Sequence, residues 1–221
     1  MVRQLKEHWN RLPDEQIEKF LSDAEEGANH PSRKKVIELL SGWKSVLDVG
    51  CGPGIAFEMV QQAYPLMEYV GVGIDVTDKF IVYCRRRFPE RQDCFRTLSI
   101  FELDKISRTF DVVMCRHLLE HLPDYREALA QMYAKAERKL LVVFYLPPKP
   151  LRWGRNKIDM RYESPLFYTH VYDLGRFLNF LKCLTPAPRE IRIYPHQGFS
   201  ARGNAWSDVE NEVYEIVKPD G

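Results

Sequence analysis

The stretch VLDVGCGPG, residues 46–54, limits what this chain can fold into more than any other segment. Apolar residues around one carboxylate, Asp48, run into Gly50, Gly52 and Gly54, spaced two apart. With the helical period of GIAFEMVQQAY behind it, the segment reads as a strand, a tight loop and a helix. Such a loop lets backbone come close to a ligand, and the N–H groups at the helix start favour an anionic group. A P-loop would need Gly-Lys-Ser/Thr after the glycines, and none follows. A dinucleotide fold would need G-x-G-x-x-G, but Ile55 stands where the third glycine belongs. Asp48 would repel a pyrophosphate. It can instead orient the loop or accept a hydrogen bond from a ligand ammonium.

The alternation continues along the chain. YVGVGI reads as a second strand, DKFIVYCRRRF as a helix ended by Pro89, and CFRTL as a short third strand. FDVVMC makes a fourth strand, followed by a helix over residues 123–138. KLLVVFYL is the fifth, its unbroken apolar run implying burial on both faces. Strands separated by helices imply right-handed crossovers and a parallel sheet. Ahead of this core, residues 1–42 carry two helical patterns, Ile17, Phe20, Leu21 and Ala24 and then SRKKVIELL after Pro31. The helix YDLGRFLNFLKCL and the strands REIRIYP and NEVYEIV follow an irregular stretch, residues 147–170. Two strands joined without a helix predict an antiparallel pair at one sheet edge. We expect one domain, residues 1–221, with 147–170 as an insertion.

Composition removes several function classes. The chain has 32 Lys+Arg against 31 Asp+Glu, a net charge of +1, so no global field steers it to nucleic acid or a membrane. No apolar run approaches the roughly 18 residues that span a bilayer, and the N-terminal residues lack a signal-peptide core. Five cysteines (51, 84, 94, 115 and 183) form no C-x-x-C pair, which predicts reduced thiols, a cytoplasmic location and no metal site.

Asp75, at the end of the second strand in GVGIDV, can accept hydrogen bonds from both hydroxyls of a ribose. Alone it serves equally well as a turn former. With the glycine loop one βα unit earlier, the ribose role is favoured. At this point VLDVGCGPG, GVGIDV and FDVVMCRHLLEHLPD together resemble the class I S-adenosylmethionine-dependent methyltransferases, in the small-molecule, type 11/12-like branch. The likeness orders residues 46–146, close to half the chain.

The resemblance implies an α/β fold, a seven-stranded Rossmann-like methyltransferase sheet of order 3-2-1-4-5-7-6 flanked by helices, with S-adenosylmethionine as cofactor. It implies that Gly50, Cys51 and Gly52 meet the methionine part through backbone atoms, with Asp48 near its ammonium. Asp75 would hold the ribose, and Val76 would pack on adenine. Where the family often has an acid after strand three, this chain has Ser99 and Ile100, so adenine recognition would rest on backbone and these two. Cys115, Arg116 and His117 would line the floor near the transferable methyl group.

An acceptor with a high pKa needs its proton removed, and histidine suits that task near neutral pH. His117, nearer the strand end, is the candidate base, and His121 the weaker one; if the segment is helical, the two share a face. The insertion sits at the carboxyl end of the sheet, where open α/β folds bind ligands. It carries Lys149, Arg152, Trp153, Arg155, Lys157, Arg161, Tyr162, Tyr168 and His170. As a lid over the site it would receive a small anionic or aromatic acceptor, with Arg152, Trp153, Arg161, Tyr162, Tyr168 and His170 as contacts; as a stiff solvated loop it would do nothing. The expected function is methylation of a small molecule by a monomer or homodimer. RNA or protein methylation, or cofactor binding without turnover, are the rivals.

Overall fold

The structure is a computed structural model, and it describes residue 15 and residues 30–73, 78–144, 158–159, 169–170, 172–196 and 211–220. The predicted helix around Ile17–Ala24, and with it the N-terminal half of the 1–42 segment, lies outside the described residues.

The strands are β1 (Ser45–Val49), β2 (Glu68–Gly73), β3 (Phe95–Thr97), β4 (Phe110–Arg116), β5 (Ala136–Phe144), β6 (Ile158–Asp159), β7 (Thr169–His170), β8 (Glu190–His196) and β9 (Asn211–Val217). Among the described residues the α-helices are α1 (Pro31–Leu39), α2 (Ile55–Ala63), α3 (Asp78–Arg87), α4 (Arg126–Lys135) and α5 (Leu174–Lys182). Seven strands form one sheet in the order β3-β2-β1-β4-β5-β9-β8. The pairs from β3 to β5 are parallel, and β9 runs antiparallel between β5 and β8. This is the expected 3-2-1-4-5-7-6 order, with the antiparallel pair at one edge.

Period-two alternation splits the core into two layers. Leu47, Val49, Val113, Leu140 and Val142 pack with Leu129 and Met132 of α4 and with Phe177 and Leu181 of α5. Val46, Val112, Met114, Leu141 and Val143 pack with Val36 of α1, Phe57 and Val60 of α2, and Ile81 of α3. Asp48 and Arg116 share parity with this second set, so both are directed to the α1 face at the carboxyl ends of neighbouring strands. There the strand order reverses, with β2 and β3 added on one side of β1 and β4 and β5 on the other, the place where open α/β sheets take their ligands.

Two elements depart from the sequence expectation. The helix expected over 123–138 is shorter, because Ala136 already pairs with Phe110 and opens β5. The segment after β4 is a single 3-10 turn, Leu119–His121, rather than an α-helix. His117 and His121 therefore do not share a helical face. The insertion contributes a two-stranded ladder, Ile158 opposite His170 and Asp159 opposite Thr169.

Candidate active site

The glycine loop is held by its neighbours on three sides. Gly50 and Cys51 donate their N–H groups to the Val72 carbonyl on β2, at 2.9 and 3.3 Å. The Cys84 thiol of α3 donates to the Gly52 carbonyl at 3.2 Å. Gly50, Gly52 and Gly54 all have positive φ (87°, 50° and 83°), a region in which a side chain is strained. They differ in surroundings. A Cβ on Gly54 would lie 2.9 Å from the Phe88 ring, whereas one on Gly52 would meet nothing within 4 Å among the described residues. Gly54 is thus a packing glycine, and Gly52 has no such neighbour among the described residues. The Cys51 thiol is raised well above its usual range by its hydrogen bond with Cys84 and by burial, so it stays protonated and holds the loop as a neutral group.

Asp48 is buried below the loop at 2% exposure. It accepts a hydrogen bond from the Tyr69 hydroxyl at 2.5 Å. Burial pushes its carboxyl up to about 6, although Tyr69, Arg116 and Arg33 pull the other way. A carboxylate held so near its titration point is short of donors, and a ligand ammonium is the group that would complete it. A left-handed glycine loop after such a carboxylate fits the amino-acid end of S-adenosylmethionine.

Arg33 enters from the first turn of α1, capped by His30, whose Nδ1 accepts the Ser32 N–H at 3.2 Å. Burial and the neighbouring Arg116 lower the Arg33 guanidinium to about 9. Arg116 itself is lowered by burial, and its Nε is a buried donor that meets no acceptor among the described residues.

At the end of β4, His117 still donates its N–H to Val143 of β5 at 2.9 Å, then turns left-handed at φ 54°. It has the one positive φ at a non-glycine position among the described residues, a conformation that costs about 1–2 kcal/mol. Its imidazole lies 3.6 Å from Oε1 of Glu120, which is fully buried. Burial, then Arg116 and Arg33, hold the ring well below the usual histidine range, so it is neutral at pH 7.

Tyr172, just after the 147–170 segment, ties this corner down. The Tyr172 hydroxyl is within hydrogen-bond reach of the Leu119 and Leu122 carbonyls, and the His170 ring stacks on the Tyr172 ring at 5.7 Å.

Of the residues singled out in the sequence, the structure gathers Asp48, Gly50, Cys51, Gly52, Arg116 and His117 at one end of the sheet, with His170 reaching the same corner through Tyr172. Cys115 instead faces the α4 layer, in the cluster with Val49 and Leu119. Ser99 uses its hydroxyl to cap the following turn, accepting the Phe101 N–H at 3.2 Å, and Ile100 is core. Asp75 and Val76, and Arg152, Trp153, Arg161, Tyr162 and Tyr168, lie outside the described residues.

This geometry meets its match among known proteins. The methyltransferase domain family matches residues 3–178. The chain belongs to that family.

A ubiquinone biosynthesis O-methyltransferase from Coxiella burnetii is 33% identical over 100 residues, covering 43% of this chain and 41% of its own length. Its counterpart from Idiomarina loihiensis is 34% identical over 96 residues, covering 42% and 37%. The matched part thus spans about two fifths of the length of these relatives. A plantazolicin methyltransferase solved with a desmethyl analogue and S-adenosylhomocysteine superposes with a TM-score of 0.64 at 16% identity, covering 99% of this chain and 96% of that one. A magnesium protoporphyrin IX methyltransferase from Synechocystis superposes at 0.56 and 17%, covering 87% and 80%. At such identities the superpositions establish the fold, that of a Rossmann-like methyltransferase.

Sequence reading of the methyltransferase domain missed Arg33, Tyr69 and Tyr172, and placed Glu120 beside the two histidines without a role. Arg33 was discoverable. It lies three and seven residues before Val36 and Leu40, on the one apolar face of α1, where a cation needs a reason to be.

Proposed function

We propose that this chain is an S-adenosylmethionine-dependent methyltransferase acting on a small-molecule acceptor. The observation that carries the reading is Asp48, a buried carboxylate at the end of β1 that receives one hydrogen bond among the described residues and leads into the left-handed glycine loop. When bound, the cofactor supplies an electrophilic methyl group on a sulfonium. The chain's own residues bind, orient and dehydrate. Asp48 pairs with the cofactor's ammonium, the loop from Gly50 to Gly52 presents backbone to its amino-acid end, and Asp75 takes the ribose hydroxyls. Holding the reactants in attack geometry lowers the barrier by about 7–11 kcal/mol at best.

His117 is the base for an acceptor hydroxyl or phenol. Its ring is neutral at pH 7, so it is ready to take a proton, and the acid limb of activity falls below pH 6.5, the ordinary histidine value. The basic and aromatic insertion supports an anionic or aromatic acceptor, because its end at His170 stacks on Tyr172, which is tied to the turn after His117. Among the described residues no helix is long and apolar enough to cross a membrane.

Thermal unfolding with S-adenosylhomocysteine and with NAD tests the cofactor class. A ligand at 100 times its Kd adds about 2.7 kcal/mol to the folded state. S-adenosylhomocysteine should raise the melting temperature, and NAD should leave it unchanged. The opposite pattern would defeat the reading.

A further inference from the structure

The two nitrogens of the His117 ring face neighbours of opposite hydrogen-bonding character. Nδ1 points to Glu120 Oε1 at 3.6 Å, and Nε2 to Arg116 Nη2 at 3.5 Å. An ionised carboxylate can only accept, and a guanidinium can only donate. Both contacts are long, and catalytic contacts of this kind tighten when a substrate binds. Their directions nevertheless decide between the two forms of a neutral imidazole. A proton on Nδ1 meets the carboxylate, and a lone pair on Nε2 meets the guanidinium. The other tautomer would put a lone pair against Glu120 and an N–H against Arg116, unfavourable at both ends.

Glu120 is held in place for this task. It has no exposed surface, and it sits on the 3-10 turn Leu119–His121. Tyr172 reaches the carbonyls on either side of that turn, from Leu119 and Leu122. The left-handed His117 stands two residues before the turn, and the two side chains, three residues apart, face each other across it. Among the described residues, the other groups that act on the ring are Arg116 and Arg33, His30 from the start of α1, and His121 from the same turn. Glu120 is, among the described residues, the carboxylate that faces Nδ1 and favours one tautomer.

We propose that Glu120 is a positioning residue that fixes His117 as the Nδ1–H tautomer and leaves Nε2 as the proton-accepting nitrogen. This rests on the reading of His117 as the base. In the step it serves, the acceptor's O–H bond breaks and its proton passes to Nε2, while the electron pair stays on the acceptor oxygen. The resulting imidazolium keeps its Nδ1–H toward Glu120, so the new positive charge forms beside a buried carboxylate. Arg116, which only donates, marks the side from which the acceptor hydroxyl must approach, and the hydroxyl displaces its long contact.

Imidazole ¹H–¹⁵N correlation spectra of the labelled protein saturated with S-adenosylhomocysteine read the tautomer directly, with His117→Gln giving the assignment. The expected result is a protonated Nδ1 and a bare Nε2 in the wild type, and a mixture of the two forms in Glu120→Gln, whose amide can donate as well as accept. Glu120→Asp should retain the wild-type form in part. An Nε2–H ring in the wild type would overturn the proposal, and so would an unchanged Nδ1–H ring in Glu120→Gln. If Glu120→Gln does not fold, Tyr172→Phe is the second variant, and loosening the turn should likewise mix the tautomers; an unchanged ring there would overturn the proposal. Failure of S-adenosylhomocysteine to bind would defeat the functional reading instead, and the tautomer would still be read in the ligand-free protein. With an acceptor in hand, Glu120→Gln should lower kcat by about 100-fold, the lower part of what a general base contributes, without changing cofactor affinity.

Discussion

Asp48 and Glu215 are both carboxylates at 2% exposure on the α1 face of the same sheet. Glu215, on β9, receives Lys139 Nζ at 2.9 Å, the Tyr194 hydroxyl at 2.8 Å and Arg192 Nη1 at 3.3 Å. Burial alone would push its carboxyl up, but these three donors outweigh it and hold the group below the usual range. Asp48, on β1, receives the Tyr69 hydroxyl, and there burial wins. Equal solvent exposure thus gives opposite outcomes: Glu215 is less deeply desolvated and receives three donors, whereas Asp48 is more deeply desolvated and receives one among the described residues. The saturated carboxylate lies at the antiparallel edge, where strands need tying together. The unsaturated one lies at the carboxyl ends of parallel strands, where a ligand enters. Buried charge by itself says nothing about function; an incomplete donor set at a place open to a ligand does.

The sharpest test of the saturated side is Lys139→Met. It leaves Glu215 buried without its closest cation, and breaking such a pair costs about 3–5 kcal/mol. Urea unfolding at pH 7 should show this loss, with S-adenosylhomocysteine affinity unchanged. The pH dependence has a fixed sign. The folded carboxyl lies below its unfolded value of 4.5, so its contribution is complete above that pH and is lost as pH falls through the folded value. The gap between variant and wild type should therefore narrow below pH 4.5. A loss under about 1 kcal/mol at pH 7 would place Lys139 among ordinary surface pairs and break the comparison.

The opposite sign is expected at Asp48. Its folded value of about 6 lies above the unfolded 3.8, so the folded state binds the extra proton. Stability from this group is greatest below pH 3.8 and declines as pH rises through 6. The whole difference is about 3 kcal/mol, two pKa units at 1.36 kcal/mol each. Asp48→Asn keeps an acceptor for Tyr69 and removes the buried charge. The ligand-free variant should be more stable than wild type at pH 7.5, by up to that amount, in urea melts. Calorimetry should show S-adenosylhomocysteine binding weaker by about 1.5–3 kcal/mol, the scale of a hydrogen bond to a charged group. A ligand-free variant less stable than wild type would mean that Asp48 is a structural residue like Glu215.

What the sequence told in advance divides along the same line. Strands β1, β2, β4 and most of β5 were legible because unbroken apolar runs have few other uses, and the late strands because no helix separates them. Asp48 and the glycines were legible as a site because their spacing is local. Glu215 and Lys139 were not, since their pairing joins residues 76 positions apart and depends on register between β5 and β9. Pairing with β4 likewise moved the start of β5. Ala136, Glu137 and Arg138 read as the end of a helix, yet Ala136 already lies opposite Phe110 in the sheet. His117 was legible as a residue type at a strand end, but not its left-handed backbone, which sets it facing Glu120 and cancels the helical spacing inferred for His121.

The smallest effect expected is the most local. Within five residues, the glycine loop holds a packed position and, among the described residues, an unpacked one. Gly54→Ala would drive a methyl group to 2.9 Å from the Phe88 ring and 3.2 Å from the Cys84 sulfur, at φ 83°, so it should destabilise the ligand-free protein visibly. Gly52→Ala meets no such neighbour among the described residues, and its cost to folding is the left-handed strain at φ 50°, about 1–2 kcal/mol. If the space beside Gly52 belongs to the cofactor, the added methyl should cost binding more than it costs folding. Paired urea melts and S-adenosylhomocysteine titrations on the two variants read this difference. Gly54→Ala should lose mainly stability, and Gly52→Ala mainly affinity. Full affinity in a folded Gly52→Ala protein would mean that the Gly52 side of the loop is not where the ligand's amino-acid end lies, and Asp48 would then need another partner to account for its missing donors.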